Sequence, residues 1–161
     1  MINKKLIKNA KKIDSFLIKF LKKQKKSLLI EPMKYGIISG GKKIRSTIIF
    51  DTGKIFDISE KKLLNICAAV ECIHSYSLIH DDLPCMDNDL IRRGKPSTHI
   101  KYGEASAVLA GSSLLTLAFE IIADKEYLLN SKLKTKIIKS LANCSGPVSY
   151  THLTLPTKRI V

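Results

Sequence analysis

The sequence predicts an all-α protein, and three observations carry that prediction. Apolar residues recur at spacings of three and four along the N-terminal stretch, the period of one helix face. Two later stretches, about residues 60–80 and 103–123, are apolar nearly all round, as central helices are. No segment before residue 147 shows the sustained alternation of a strand.

Taken in order, Leu6, Ala10, Ile13, Leu17 and Phe20 form the first stripe, with Lys on the opposite face. Pro32 and Gly36 then break the pattern. A second helix is expected from about Lys42 to Phe56, carrying Ile44, Ile48, Ile49 and Ile55. Ser59 has the character of an N-cap, with Glu60 well placed against the helix dipole. The helix that follows runs to about His80. Pro84 to Pro96 is expected to be a loop with one short turn. In the stretch from Gly103 to Ala123, Ala105, Ser106, Ala107, Ala110 and Gly111 are small enough to let a neighbouring helix come close. A last amphipathic helix covers about Ser131 to Ala142. The architecture is a bundle of two buried central helices and several peripheral ones. Two helices apolar on every side need more neighbours than this chain supplies, so the core is expected to be unfinished.

A chain of 161 residues and 18.0 kDa corresponds to one domain. Its formal net charge of +14 invites a nucleic-acid reading. The basic residues are 24 Lys and only 4 Arg, however, and Ile numbers 22, a skew that A/T-rich codons produce. Ten Lys lie within residues 1–26 with no Arg for bidentate phosphate contacts, so a solvated helix face is favoured over a nucleic-acid arm. No apolar run reaches the roughly 18 residues of a spanning helix. The Lys-rich N-terminus lacks the apolar core of a secretory signal. Cys67, Cys72, Cys85 and Cys144 have no C-x-x-C spacing, and a cytoplasmic chain with reduced thiols is expected.

The informative stretch is His74 to His99, HSYSLIHDDLPCMDNDLIRRGKPSTH. Asp81, Asp82, Asp87 and Asp89 fall within nine residues of a chain with eight Asp in all, and Arg92, Arg93 and Lys95 follow. Clustered carboxylates repel one another and persist where a hard cation neutralises them. Carboxylates beside cations suit a ligand that bridges both, such as a magnesium-bound diphosphate. A solvated loop with local ion pairs would give the same composition. Two details tell against that reading. The cluster ends an apolar helix, where casual carboxylates are costly. His74, Ser77 and Asp81 also share one helix face. The spacing lacks the alternating oxygens, central Gly and terminal Glu of an EF-hand, and Cys and His are too scattered for zinc.

Gly36-x4-Gly41-Lys42 nearly spells a phosphate-binding P-loop, but Lys43 stands where Ser or Thr should, and no strand precedes it. The alternative is that Gly40-Gly41 opens a helix with Lys42 and Arg45 on one face, a cradle for a diphosphate. Arg45 is the more telling of the two, since Arg is scarce.

The stretches YGIISGGKKIRS, AAVECIHSYSLIHDDLPCMDNDLIRRGKPSTH and KYGEASAVLAGSSLLTLAFEII together resemble the N-terminal half of the trans-isoprenyl diphosphate synthases, the polyprenyl synthetase family. The likeness is greatest to the bacterial branch that forms the C15 product, farnesyl diphosphate. It implies an isoprenoid-synthase-type helical bundle around a deep cavity, truncated here, and a homodimer when full length. It implies Mg2+-assisted ionisation of an allylic diphosphate and attack by isopentenyl diphosphate, with a proton lost to the released pyrophosphate. By the same resemblance Asp81, Asp82 and Asp87 hold magnesium on the allylic diphosphate and Arg92 binds that diphosphate. Lys42, Arg45, His74 and Arg93 match the isopentenyl-diphosphate site. Tyr76, five residues and about 7.5 Å of helix before Asp81, with Ser77 beside it, would set product length.

Residues 1–146 are expected to be the N-terminal part of a polyprenyl synthetase domain. The family's second aspartate-rich motif does not occur in this chain. The last residues, PVSYTHLTLPTKRIV, change character and resemble translated adapter text, so 147–161 are expected to be foreign and His152 uninformative. The chain alone is expected to be inactive and poorly folded. The alternatives are a synthase of geranylgeranyl or longer products, a non-catalytic partner subunit, and, more distantly, a basic nucleic-acid-binding module.

Overall fold

The computed structural model describes residues 2–147. The expected foreign tail beyond Pro147, with His152, lies outside the described residues. Within them the fold is helical: α1 (Ile2–Lys23), α2 (Ile30–Ile38), α3 (Ile44–Ile55), α4 (Glu60–Asp81), α5 (Thr98–Tyr102), α6 (Glu104–Ala123) and α7 (Ser131–Ser145). One antiparallel hairpin, β1 (Ile91–Arg92) and β2 (Lys95–Pro96), interrupts the series.

The central pair is α4 against α6. From α4, Leu63, Cys67, Ala68, Cys72 and Ile79 are buried, and from α6 Ala107, Ala110, Leu114, Ala118 and Ile121. The small residues act as expected. A β-carbon on Gly111 would stand 2.4 Å from Nε2 of His80, so this glycine lets α6 approach α4 where that histidine lies. Helix α1 lays Ile13, Leu17, Phe20 and Leu21 into the core, its Lys face outward. It packs on α2, α3 and α4.

Three expectations are corrected. Pro32 and Gly36 do not end helical structure; both sit inside α2. Pro32 occupies the first turn, where the missing N–H has no intrahelical acceptor to lose. Gly36 faces Ile79, whose Cδ1 would lie 2.4 Å from an added β-carbon. The segment between the two central helices is more ordered than a loop with one turn, since it contains the hairpin and α5. Helix α6 is not buried on every side. Val108 and Leu109 are exposed on its outer face. By length and composition it could cross a bilayer, yet its other face forms the core.

The expectation of an unfinished core corresponds to a second apolar face. On and just after α3, Ile44, Ile48, Ile55 and Phe56 are exposed. Helix α7 has no fully buried residue, although Ile137, Ile138 and Leu141 pack against the core. No disulfide links the four cysteines.

Candidate active site

The acidic half of the site is built at the C-terminus of α4. The chain turns back at once after Asp82: Met86 N–H and Asn88 N–H donate to Leu83 O at 2.9 and 3.0 Å, and Asp87 N–H donates to Asp81 O at 2.8 Å. This fold-back returns residue 87 to the backbone of residue 81. Asp81, Asp82 and Asp87 therefore come from one helix end and one tight turn. Asp82 is buried, and Arg92 closes on it. The Arg92 Nε–H donates to Oδ1 and Oδ2 at 3.0 and 3.2 Å, and Nη2 also reaches Oδ1 and, at 3.3 Å, Oδ2 of Asp89. Two carboxylates thus orient one planar guanidinium, a geometry Lys could not reproduce.

The hairpin decides where the two adjacent arginines go. Its turn is Arg93-Gly94, both with positive φ (54° and 75°), as a tight two-residue hairpin turn requires. Arg92 is held on the acidic side. Arg93 crosses to the other side and donates from Nη1 to Gly40 O.

That other side is the glycine loop before α3. Gly40 and Gly41 have φ of 97° and 104°. A β-carbon on Gly41 would sit 2.6 Å from Arg93 Nη1, so the residue must be glycine for the arginine to lie there. Helix α3 begins only at Ile44, so Lys42 stands exposed in the loop and does not share a helix face with Arg45, as the sequence reading had it. Arg45 is in the first turn and donates from Nη1 to Nε2 of His74 on α4 at 3.3 Å. Lys42, Arg45, His74 and Arg93 thus lie along the loop, the start of α3 and the adjoining turn of α4.

Burial, and then the charges of Arg45, Arg93, Lys43 and Arg92, push the His74 pKa down to about 4. The ring is neutral at physiological pH and Nε2 accepts the Arg45 proton. The unfolded ring protonates near its ordinary 6.5 and the folded ring near 4. Between those values the unfolded chain holds the extra proton. The stability this ring contributes is therefore present above about pH 6.5 and lost as pH falls toward 4. An NMR titration of the His74 ring is expected to show its midpoint near 4; a midpoint near 6.5 would mean that the ring is neither buried nor set among these cations.

A cavity of about 210 Å³ adjoins this cluster, lined by Arg45, Ile73, His74, Tyr76, Ser77 and Leu141 among others. Tyr76 packs edge-on against His80, ring centroids 4.7 Å apart, and His80 Nε2 lies 3.0 Å from Val108 O. The Ser77 hydroxyl is turned inward along the helix, donating to His74 O at 2.9 Å.

Sequence reasoning missed Lys43. In the sequence it figures only as the residue that breaks a P-loop pattern, and the fold buries it against Glu71 and Asp14. The signal that could have found it is Glu71 itself. It is the one acid in α4 between Glu60 and Asp81, on a helix otherwise apolar, where a carboxylate needs a partner.

Among the described residues no three His, Cys, Asp or Glu side chains converge as a ready metal cage. The donor set still fits a hard divalent cation. It consists of carboxylate oxygens at a helix end, of the kind magnesium takes one or two of while phosphate and water fill the rest.

Residues 26–146 match the profile of the polyprenyl synthetase family. The chain is 48% identical over 119 residues to the farnesyl diphosphate synthase of Escherichia coli (strain K12), covering 73% of this chain and 40% of that one. It is 50% identical over 122 residues to the farnesyl diphosphate synthase of Buchnera aphidicola subsp. Acyrthosiphon pisum, covering 75% and 43%. Among solved structures, a geranyltransferase from Legionella pneumophila superposes with a TM-score of 0.89 at 34% identity, over 100% of this chain and 59% of that one. The chain therefore spans about two fifths of the length of these curated relatives. The helical fold, the aspartates on the turn after α4 and the match over most of the chain agree, and this chain belongs to the polyprenyl synthetase family.

Proposed function

We propose that residues 1–146 are the N-terminal part of a prenyltransferase domain that joins isopentenyl diphosphate to an allylic diphosphate and yields farnesyl diphosphate. One observation carries this reading. The hairpin sends Arg92 to an acidic helix end and Arg93 to a cationic glycine loop, so two differently charged sites stand side by side along α4. One suits a metal-bound diphosphate and the other a bare one. A non-catalytic subunit or a nucleic-acid-binding module has no comparable observation behind it.

On the acidic side Asp81 and Asp87 would hold Mg2+ together with the diphosphate oxygens, where the ion would neutralise charge building on the departing group, while Asp82, expected from the sequence as a third metal ligand, is buried with both oxygens on Arg92 and orients that cation instead. Arg92, already oriented by Asp82 and Asp89, adds a planar cation to that diphosphate. On the cationic side Lys42, Arg45 and Arg93 meet the isopentenyl diphosphate, and neutral His74 lies against Arg45 without adding a competing charge. The apolar residues of the neighbouring cavity exclude water from the reacting carbons. Tyr76, with Ser77 beside it, limits how deep the growing chain reaches. The full-length protein acts in the cytoplasm as a homodimer.

The cationic side can be tested without turnover. Calorimetric titration with isopentenyl diphosphate, with no Mg2+ present, of residues 1–146 joined to the C-terminal part of a curated relative is expected to show binding. Arg45→Ala is expected to weaken it by about 2 kcal/mol, roughly thirty-fold. Equal affinity in the two chains would reject the assignment of this half-site.

A further inference from the structure

Lys43 lies between two of the proposed ligand cations, yet it cannot itself be one. Its side chain is 3% exposed and points away from the loop surface. Nζ donates to Ile37 O at 2.7 Å, a carbonyl in the last turn of α2. It stands 3.7 Å from Oδ1 of Asp14 on α1 and 3.7 Å from Oε2 of Glu71 on α4. Glu71 is buried in turn, and its Oε1 accepts from Ser46 Oγ at 2.8 Å and Ser46 N–H at 3.4 Å, both in the first turn of α3. Four helices therefore meet at one ammonium group.

Stability alone is a poor reason for such an arrangement. Desolvating an ammonium and a carboxylate costs several kcal/mol, and a well-packed apolar pair commonly serves as well. What an ion cluster supplies is geometry, because each partner must sit at a defined place. The geometry here is local to the site. Lys43 has φ of 45°, the left-handed region that a residue with a β-carbon avoids without an anchor. That backbone turn separates exposed Lys42 from Ile44, the first residue of α3, and so sets the direction in which Arg45 leaves the helix toward His74. Arg93 clamps the same loop from the opposite side at Gly40.

We infer that the buried Lys43–Glu71 pair is a positioning device for the diphosphate-binding loop. It fixes the start of α3 so that Lys42 and Arg45 are presented together, without touching the ligand. This rests on the reading that Arg45 and its neighbours take a diphosphate.

The test is calorimetric titration with inorganic pyrophosphate, run beside thermal melting, of residues 1–146 joined to the C-terminal part of a curated relative, since the chain alone is expected to fold poorly. Four proteins are compared: the unaltered chimera, Arg45→Ala, Lys43→Arg, and the double variant Lys43→Met with Glu71→Leu. The double variant removes both fully buried charges together and leaves only Asp14, which is partly exposed to water, so it retains its fold where Lys43→Met alone would strand Glu71. The double variant is expected to melt as a folded protein and to bind pyrophosphate about ten-fold more weakly. Lys43→Arg keeps the cation and is expected to bind within about three-fold of the unaltered chimera. A folded double variant with unchanged affinity overturns the positioning role while leaving the diphosphate site intact. Failure of the unaltered chimera to bind, or an Arg45→Ala chimera that binds as well, overturns the site and the inference with it.

Discussion

Replacing Asp81 and Asp87 together by alanine is expected to lower kcat for prenyl transfer by about three orders of magnitude or more. The measurement is steady-state turnover of geranyl and isopentenyl diphosphates. It is made in a chimera that joins residues 1–146 to the C-terminal part of a curated relative, since the chain spans only about two fifths of those proteins. The physical reason is charge. A departing diphosphate gathers negative charge that a divalent cation and a preset guanidinium would absorb, and in the proposed reading these two residues supply carboxylates to hold the cation. The structure separates their contribution from that of Asp82. Asp82 is buried and paired with Arg92, so Asp82→Ala is expected to cost about 2 kcal/mol of stability in addition to activity. Turnover within ten-fold of the unaltered chimera would remove the acidic cluster from the chemistry.

The second large effect is on product length. Tyr76→Ala is expected to shift the main product from C15 to C20 or longer, read by mass spectrometry after dephosphorylation. Tyr76 lines the cavity that also contains Arg45 and His74. Counted along α4 it lies about 7.5 Å below Asp81. Its ring is braced by His80, which is in turn held close to Val108 O and against Gly111 of α6. A braced aromatic ring is a firm floor, and its removal deepens the cavity. Losing the partly buried ring and its His80 contact is expected to cost about 2–3 kcal/mol, so thermal melting of the variant is run beside the product analysis. An unchanged C15 product would show that another residue closes the cavity.

Much of this arrangement was legible in the residues, and the exceptions have physical causes. The two central helices were plain because their apolar content is too great for a surface element. The acidic turn was plain because four Asp in nine residues, followed by two of the chain's four Arg, have no packing explanation. The helix α2 was hidden because Pro32 and Gly36 read as breakers. The proline falls where no hydrogen bond is required, and the glycine is needed by Ile79 across the interface, a fact of tertiary packing. The hairpin was hidden because strands of two residues carry no alternation. Its turn was hidden as well, since hairpin turns favour Asn-Gly or Asp-Gly and Arg93 is an uncommon residue at positive φ. Lys42 was placed on a helix it does not join, because the positive φ of Gly40, Gly41 and Lys43 delays the start of α3. Lys43 was lost among 24 lysines, and only its partner Glu71 marked it.

Product analysis of the unaltered chimera with Mg2+, geranyl diphosphate and isopentenyl diphosphate tests the central claim most directly. The account predicts farnesyl diphosphate as the main product and its loss when Arg45 or Asp81 is replaced by alanine. No condensation by a folded chimera, or condensation that persists in both variants, would contradict it.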